Sequence, residues 1–423
     1  MVNIAVLGLG TVGSGVVELL KLNEDAISKR LGDEVCVKKV LVKNLEKKRS
    51  ELVEGKVTDN FNEIVEDEDI MIVVELMGGE EPALTYIKQA LISGKHVVTA
   101  NKEIISKHGK ELFNLAEEHD VNLLFEASVA GGIPIIRPMK NCLAANKIEK
   151  IMGILNGTTN YILTQMTDEN KSFDVALDEA KIEGYAESDP TDDIKGFDAA
   201  RKIAILSSIA FNTRITSDKV YTEGIDKLDL LDIEYAKELG YLIKLVAMAK
   251  KHEDKVEVSV VPILLNKEHP LCGVNGPFNA IVLEGNAVGR VMFYGQGAGK
   301  MPTASAVVAD IMAAVRSDNG NKLYCTCYNE LDVMDPGLSR TQFYIRLRVK
   351  DRPGVLSKIS GAMAENEISL SKVFQKHTMN GTAEIVMVTY EVPFKNLQEA
   401  LEEIQAYKQI EEIASVIRVE EES

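Results

Sequence analysis

Apolar and polar positions follow two rhythms along the first 130 residues. Runs such as "NIAVLGLG" (3–10), "VCVKKVLV", "DIMIVVEL", "KHVVTAN" and "VNLLFEAS" are almost continuously apolar. Between them, "TVGSGVVELLKL", "EPALTYIKQALISG" and "KEIISKHGKELFNLAEEH" place apolar side chains three and four residues apart. The first rhythm suits strands buried on both faces, the second suits helices laid over them. Their alternation predicts a parallel α/β sheet covered on both sides.

From about 131 to 301 the pattern changes. It predicts helices near 158–167, 173–182, 193–211 and 232–240. Strands are expected at 241–250, 256–263, 278–284 and 288–294, giving an α+β domain with a mostly antiparallel sheet. "PTASAVVADIMAAVRS" (302–317) predicts a helix with Pro302 in its first turn, expected to pack back on the first domain. A polar, glycine-bearing stretch near 317–322 and a loop around "DPGLSR" form a linker over 318–342. The last unit, 343–423, runs strand (343–350), helix (354–366), strand (368–376), turn at Asn380-Gly381, strand (383–390), helix (396–407), strand (412–419). That order is βαββαβ, a ferredoxin-like unit.

Composition narrows the class. Of 423 residues, 45% are hydrophobic and 27% charged, as in a soluble globular protein. A net charge of -17 argues against nucleic-acid and anionic-membrane partners. No apolar run reaches the roughly 18–20 residues that span a bilayer. The N-terminus opens straight into a strand with no basic segment or cleavage site, so no secretion signal is expected. Five scattered cysteines fit a reducing cytoplasm. Cys325-Thr326-Cys327 lacks the second pair of a zinc site, and the six histidines form no His-x-x-x-His pair.

Chemistry enters at Gly8-Leu9-Gly10-Thr11-Val12-Gly13, between a strand and a helix. The first glycine permits a tight turn, the second lets backbone approach a pyrophosphate, and the third lets the helix pack close. The helix N-terminus then faces the anion, which predicts a dinucleotide site. The second strand ends at Val42-Lys43-Asn44, where an acid for a ribose 2′-hydroxyl would be usual. Lys43, Lys47, Lys48 and Arg49 cluster there instead, which suits the 2′-phosphate of NADP and leaves NAD open. Later strands end at Glu75-Leu76-Met77-Gly78-Gly79, at Thr99-Ala100-Asn101-Lys102 and at Glu126-Ala127-Ser128-Val129. Ligands of open α/β sheets sit beyond such ends. Thr99, Asn101 and Lys102 are therefore expected near the cofactor, and a lysine against the dipole of a helix start suggests a local role.

One stretch, "GYAESDPTDDIKGFDAARK" (184–202), carries Glu187, Asp189, Asp192, Asp193 and Asp198 ahead of Lys202. Asp192 or Asp193 can cap a helix, and Asp198 and Lys202 fall on one face of it. Two readings stand. One is a capped helix with a surface ion pair. The other is an acid-lined pocket for a cationic amine, with Lys202 as proton donor.

With these segments in view, the chain resembles the homoserine dehydrogenase family with a C-terminal ACT regulatory domain. The likeness rests on the glycine turn, "TANKE" (99–103), "EASVAGGIPII" (126–136), "NGTTNYIL" (156–163), "EGYAESDPTDDIKGFDAARKIAIL" (183–206), "HPL" (269–271) and "GQGAGKMPTASAVVADI" (295–311). It implies a Rossmann-type nucleotide domain (1–130), an α+β substrate and dimerisation domain (131–301), and an ACT domain (343–423). The implied activity is NAD(P)-linked interconversion of L-homoserine and L-aspartate 4-semialdehyde, in threonine, methionine and isoleucine biosynthesis. It also implies Lys202 as acid/base, Lys102 in catalysis near the nicotinamide, and Glu187, Asp198 and Asp193 as substrate acids. Gly184 and Gly299 would contact cofactor. Glu126, with carbonyls of Val129, Gly131 and Ile133, would hold a monovalent cation, usually Na+. Asn44 departs from the acid many relatives carry.

"VKDRPGVLSKISGAMAENEISLSKV" (349–373) resembles the ACT signature. Asp351, Pro353 at the first helical position, Gly354, Val355 and Leu356 would present backbone N–H groups to an amino-acid carboxylate, with Asn366 assisting. By resemblance the effector is threonine, acting as inhibitor, and the assembly is a homodimer or homotetramer. Two other readings are another Rossmann-type amino- or hydroxy-acid dehydrogenase and a non-enzymatic amino-acid sensor.

Overall fold

The computed structural model describes residues 1–317, 327–377 and 381–420. Cys325, the 318–326 part of the expected linker and Asn380 of the expected turn lie outside the described residues. The chain divides into two compact units, each gathered from three segments.

The first unit comprises Met1–Ile151, Arg201–Lys219 and Asn279–Leu331. Its sheet contains β1 (Val2–Leu7), β2 (Val35–Leu41), β3 (Val57–Thr58), β4 (Ile70–Glu75), β5 (His96–Thr99) and β6 (Leu123–Leu124). The order is β3-β2-β1-β4-β5-β6, with every pairing parallel, as the apolar runs predict. Ile4, Val6, Ile72, Val74 and Val98 are fully buried because helices cover both faces. Helix Thr11–Leu22 supplies Val16, Val17 and Leu20 to that core, and helix Lys300–Ser317 supplies Ala304, Val307, Val308 and Ile311. The two helices approach closely at Gly15, where a Cβ would come 2.8 Å from the Lys300 carbonyl oxygen.

The second unit comprises Met152–Ala200, Val220–Phe278 and Asp332–Ser423. Strands Tyr241–Lys251 and Lys255–Asn266 pair antiparallel along their whole length. Strand Ile410–Glu420 then pairs parallel with Lys255–Asn266, through Ile263, Leu264 and Leu265. From there the sheet runs on through Arg340–Lys350, Thr382–Thr389 and Leu370–His377, all antiparallel. With helices Val355–Glu365 and Phe394–Gln405 these form the expected βαββαβ unit around Phe343, Ile345, Leu347, Ile359, Ile385 and Leu397. Beneath it, the fully buried Arg346 guanidinium donates to both oxygens of Asp232, at 2.7 and 3.2 Å, and Tyr344 Oη donates to the same carboxylate. Lys244 is buried as well, and burial pushes its ammonium down to about 8. It donates to the Val274 carbonyl and to the side-chain oxygens of Asn160 and Asn275.

Two local expectations need correction. The helix expected over 193–211 is two helices, Thr191–Ile194 and Phe197–Ala210. Gly196 breaks it at φ 82°, in the left-handed region, where a Cβ would also crowd Thr222 and Val260. Pro353 is not the first helical residue. Gly354 (φ 87°) occupies the N-cap and the helix starts at Val355.

Candidate active site

Beyond the carboxyl ends of β1, β2 and β4 lies a cleft of about 790 Å³, lined by Gly8, Leu9, Gly10, Lys43, Asn44, Lys47, Lys48, Arg49, Leu76 and Met77. Its floor is backbone. Gly8 has φ 94°, and a Cβ on Gly13 would fall 2.1 Å from the Gly8 carbonyl oxygen, so neither position admits a side chain. Helix Thr11–Leu22 begins at the cleft with Gly10 as N-cap and no acid in its first turn, leaving its positive end to an external anion. The cleft sits where strand order reverses beside β1, the position dinucleotides take in such sheets. At its β2 edge Arg49 donates to the carbonyls of Leu45, Lys47 and Asn44, shaping the loop that carries the lysines. These residues fit a dinucleotide: backbone for the pyrophosphate, cations for a further phosphate.

The ends of β4 and β5 are tied together below the cleft. Glu75 is fully buried. Thr99 Oγ1 donates to it at 2.6 Å and the Met77 amide at 2.7 Å. Burial pushes its carboxyl above the usual range, against the pull of donors from Thr99, Met77, Gly78 and Asn101. Asn101 caps helix Lys102–Glu118 by accepting from the Ile104 amide, and its side-chain nitrogen donates to the Gly79 carbonyl at 2.7 Å. Lys102, half-buried, is the first residue of that helix.

Glu126 opens a loop whose backbone turns at Ala130 (φ 56°) and Gly131 (φ 49°). Its carboxylate accepts from the amides of Ile135, Ile136 and Arg137 at 2.6 to 2.8 Å. Arg137 bridges it to Asp310, whose carboxyl burial pushes up to about 7. Two carboxyl groups thus share one guanidinium around the loop that carries Val129, Gly131 and Ile133. A Cβ on Gly131 would lie 2.4 Å from the Gly297 carbonyl oxygen, and Gly299 (φ 122°) follows just before helix Lys300–Ser317.

Helix Phe197–Ala210 carries Asp198 and Lys202 one turn apart. Asp198 is 6% exposed and Lys202 9%, so neither is the surface pair of the blander reading. In the second unit the acids are organised by Asn156. Its side-chain nitrogen donates to Asp193 at 2.7 Å and to Asp198 at 2.9 Å. Its oxygen accepts from the Thr159 amide, capping helix Gly157–Glu169. Thr158 Oγ1 donates to Asp193 as well. Glu187 stands apart, exposed on the loop after Gly184 (φ 77°). Asp189 turns back on Thr191, whose amide and hydroxyl hold its carboxyl below the usual range.

In the βαββαβ unit, Asp351, Gly354, Val355 and Leu356 gather at one end of helix Val355–Glu365, and Asn366 caps the other. Eleven residues rising about 1.5 Å each separate it from that end within one chain. Asn366 donates to Ala362 and accepts from Asn396. Neither the pairing of two aspartates by Asn156 nor the tie from Glu75 to the next strand was legible in the sequence. "NGTTNYIL" does offer an Asn before a helix start, but its two aspartate partners lie 37 and 42 residues away.

A six-stranded parallel sheet whose glycine turn floors a cation-edged cleft defines a dinucleotide-binding protein of the Rossmann type. Comparison with known proteins carries this further. A model of the homoserine dehydrogenase NAD-binding domain matches residues 8–126, one of homoserine dehydrogenase matches 134–312, and one of the ACT domain matches 343–409. The homoserine dehydrogenase of Bacillus subtilis is 41% identical over 426 residues, covering 99% of this chain and 98% of that protein. A crystal structure of a homoserine dehydrogenase from Thiobacillus denitrificans superposes with TM-score 0.94 at 41% identity, over 99% of this chain and 98% of that one. A hyperthermophilic archaeal homoserine dehydrogenase mutant, solved with NADPH, matches 75% of this chain and 98% of its own at 31% identity and TM-score 0.64. The chain belongs to the homoserine dehydrogenase family, NAD(P)-dependent oxidoreductases of amino-acid biosynthesis, and carries an ACT domain.

Proposed function

We propose that the chain interconverts L-homoserine and L-aspartate 4-semialdehyde with NADP in preference to NAD, and that threonine restrains it through the ACT domain. The observation that carries the reading is the burial of both Asp198 and Lys202, four residues apart on one helix in the family's 183–206 segment. The nicotinamide, when bound, exchanges hydride with the substrate's alcohol or aldehyde carbon. Lys202 gives or takes the proton of the oxygen on that carbon, with Lys102 assisting near the nicotinamide. Asp193, Asp198 and Glu187 meet the substrate ammonium. Lys43, Lys47, Lys48 and Arg49 favour a 2′-phosphate. Thr99, Asn101, Gly184 and Gly299 complete the cofactor contacts.

The loop of Glu126, Val129, Gly131 and Ile133 takes a monovalent cation, Na+ by preference. The left-handed backbone at Ala130 and Gly131, an unusual path of the kind that exposes carbonyl oxygens, supports that reading. Backbone amides at Gly354–Leu356, with Asp351 and Pro353, grip the carboxylate of threonine. Strand Gly289–Gln296 is the last of its sheet and exposes Met292 and Tyr294, which supports a homodimer or homotetramer.

Reduced-nicotinamide absorbance tests the reading. L-homoserine with NADP should give turnover, NAD a lower kcat/KM, and millimolar threonine a reduced rate. Absence of homoserine oxidation with either nucleotide would discard it. Turnover indifferent to threonine, with no heat of threonine binding, would discard the feedback clause alone.

A further inference from the structure

We infer that Glu75, buried and bonded to Thr99 of the expected cofactor contacts, is a positioning residue that locks the loops after β4 and β5 into one platform beside the cleft. The inference rests on the dinucleotide reading of that cleft.

Glu75 ends β4, and its carboxylate reaches both loops. It accepts from the Met77 amide in its own loop and from the Thr99 hydroxyl at the end of β5. Thr99 Oγ1 passes the linkage on by accepting from the Asn101 amide at 2.9 Å. Asn101 closes the ring with its bond to the Gly79 carbonyl, while its oxygen caps the helix that Lys102 begins. A second consequence follows at the glycine turn. A Cβ on Gly8 would lie 2.8 Å from the Leu76 carbonyl oxygen and 3.1 Å from Met77 Cα, so this turn is packed directly on the loop that Glu75 holds. A shift at 76–77 therefore moves the pyrophosphate floor, and a shift at 99–101 moves Lys102.

A carboxylate suits this post because, when ionised, it accepts only, and the Met77 amide and Thr99 hydroxyl it meets are donors. A glutamine of the same shape must turn its NH2 toward at least one of them. Leaving a buried donor unmatched is costly, more so where the lost partner was charged.

The test uses the full-length enzyme and NADPH as the probe. Glu75→Gln should weaken NADPH binding about 10-fold, the loss expected when one buried donor goes unmatched. It should also lower kcat, while KM for homoserine stays within twofold. A residue that merely supports the fold would lower the melting temperature without this division. A folded Glu75→Gln enzyme with unchanged NADPH affinity and kcat overturns the inference and leaves the cofactor reading standing. Wild-type enzyme that fails to take up NADPH overturns both. Hydrogen exchange on wild-type enzyme decides the matter if the variant does not fold. NADPH should slow exchange at 76–79 and 101–104 together, and protection of one segment alone overturns the inference.

Discussion

The glycine turn of the first unit and the acid cluster of the second are both charge-binding arrangements, built in opposite ways. The turn at Gly8–Gly13 is a backbone site. Its shape comes from missing side chains and from the positive end of helix Thr11–Leu22. The cluster around Asn156 is a side-chain site. Two aspartates that repel each other are aligned by a single amide nitrogen within 3 Å of both. The difference teaches where each can fail. A backbone site tolerates exchange of neighbouring side chains and fails when a Cβ is added. A side-chain site tolerates backbone adjustment and fails when one donor is removed.

The largest effect is expected from Lys202→Ala. Removing a general acid–base group costs about 100- to 10,000-fold in rate, so kcat should fall in that range with NADPH affinity unchanged. Near-normal turnover would take Lys202 out of the chemistry. Gly13→Ala should come next. Its Cβ has 2.1 Å of space against the Gly8 carbonyl, and forcing such an overlap costs about 1–3 kcal/mol. Fluorescence titration should show NADPH affinity weakened by about 10- to 100-fold, with threonine binding intact. If Gly13→Ala bound NADPH normally, the claim of a backbone-built floor would be wrong.

The smallest effect sharpens the other side of the comparison. Asn156→Ala removes both donations to the aspartates and the helix cap, and should raise KM for homoserine about 10-fold while leaving NADPH affinity unchanged. Asn156→Ser keeps a capping oxygen but loses the two amide donors. It should share the KM defect and keep the wild-type melting temperature. A serine enzyme with normal KM would reduce Asn156 to a helix cap.

These two regions also differ in how far they could be read in advance. The glycine turn was legible because its determinants are local: φ above zero, a missing Cβ and a helix start all lie within six residues. The alternating apolar runs were legible for a similar reason, since a strand buried on both faces leaves few positions for polar side chains. The break at Gly196 was not. The apolar spacing continues through it, and only the crowding by Thr222 and Val260 shows why a glycine sits there. Nor was Glu75 legible beyond its place at a strand end. Its partners Thr99 and Asn101 belong to the next strand and helix, which the parallel sheet brings alongside.

Sequence alone determined the element types, the parallel first sheet, the βαββαβ unit and the residues of the dinucleotide turn. Those follow from side-chain periodicity and backbone sterics within a few residues. Tertiary structure decided which carboxylates share a donor, which lysines are buried, and that strand Ile410–Glu420 extends the sheet of Lys255–Asn266. Such outcomes depend on desolvation and hydrogen-bond geometry between segments far apart in the chain, and these exist only once the chain has packed.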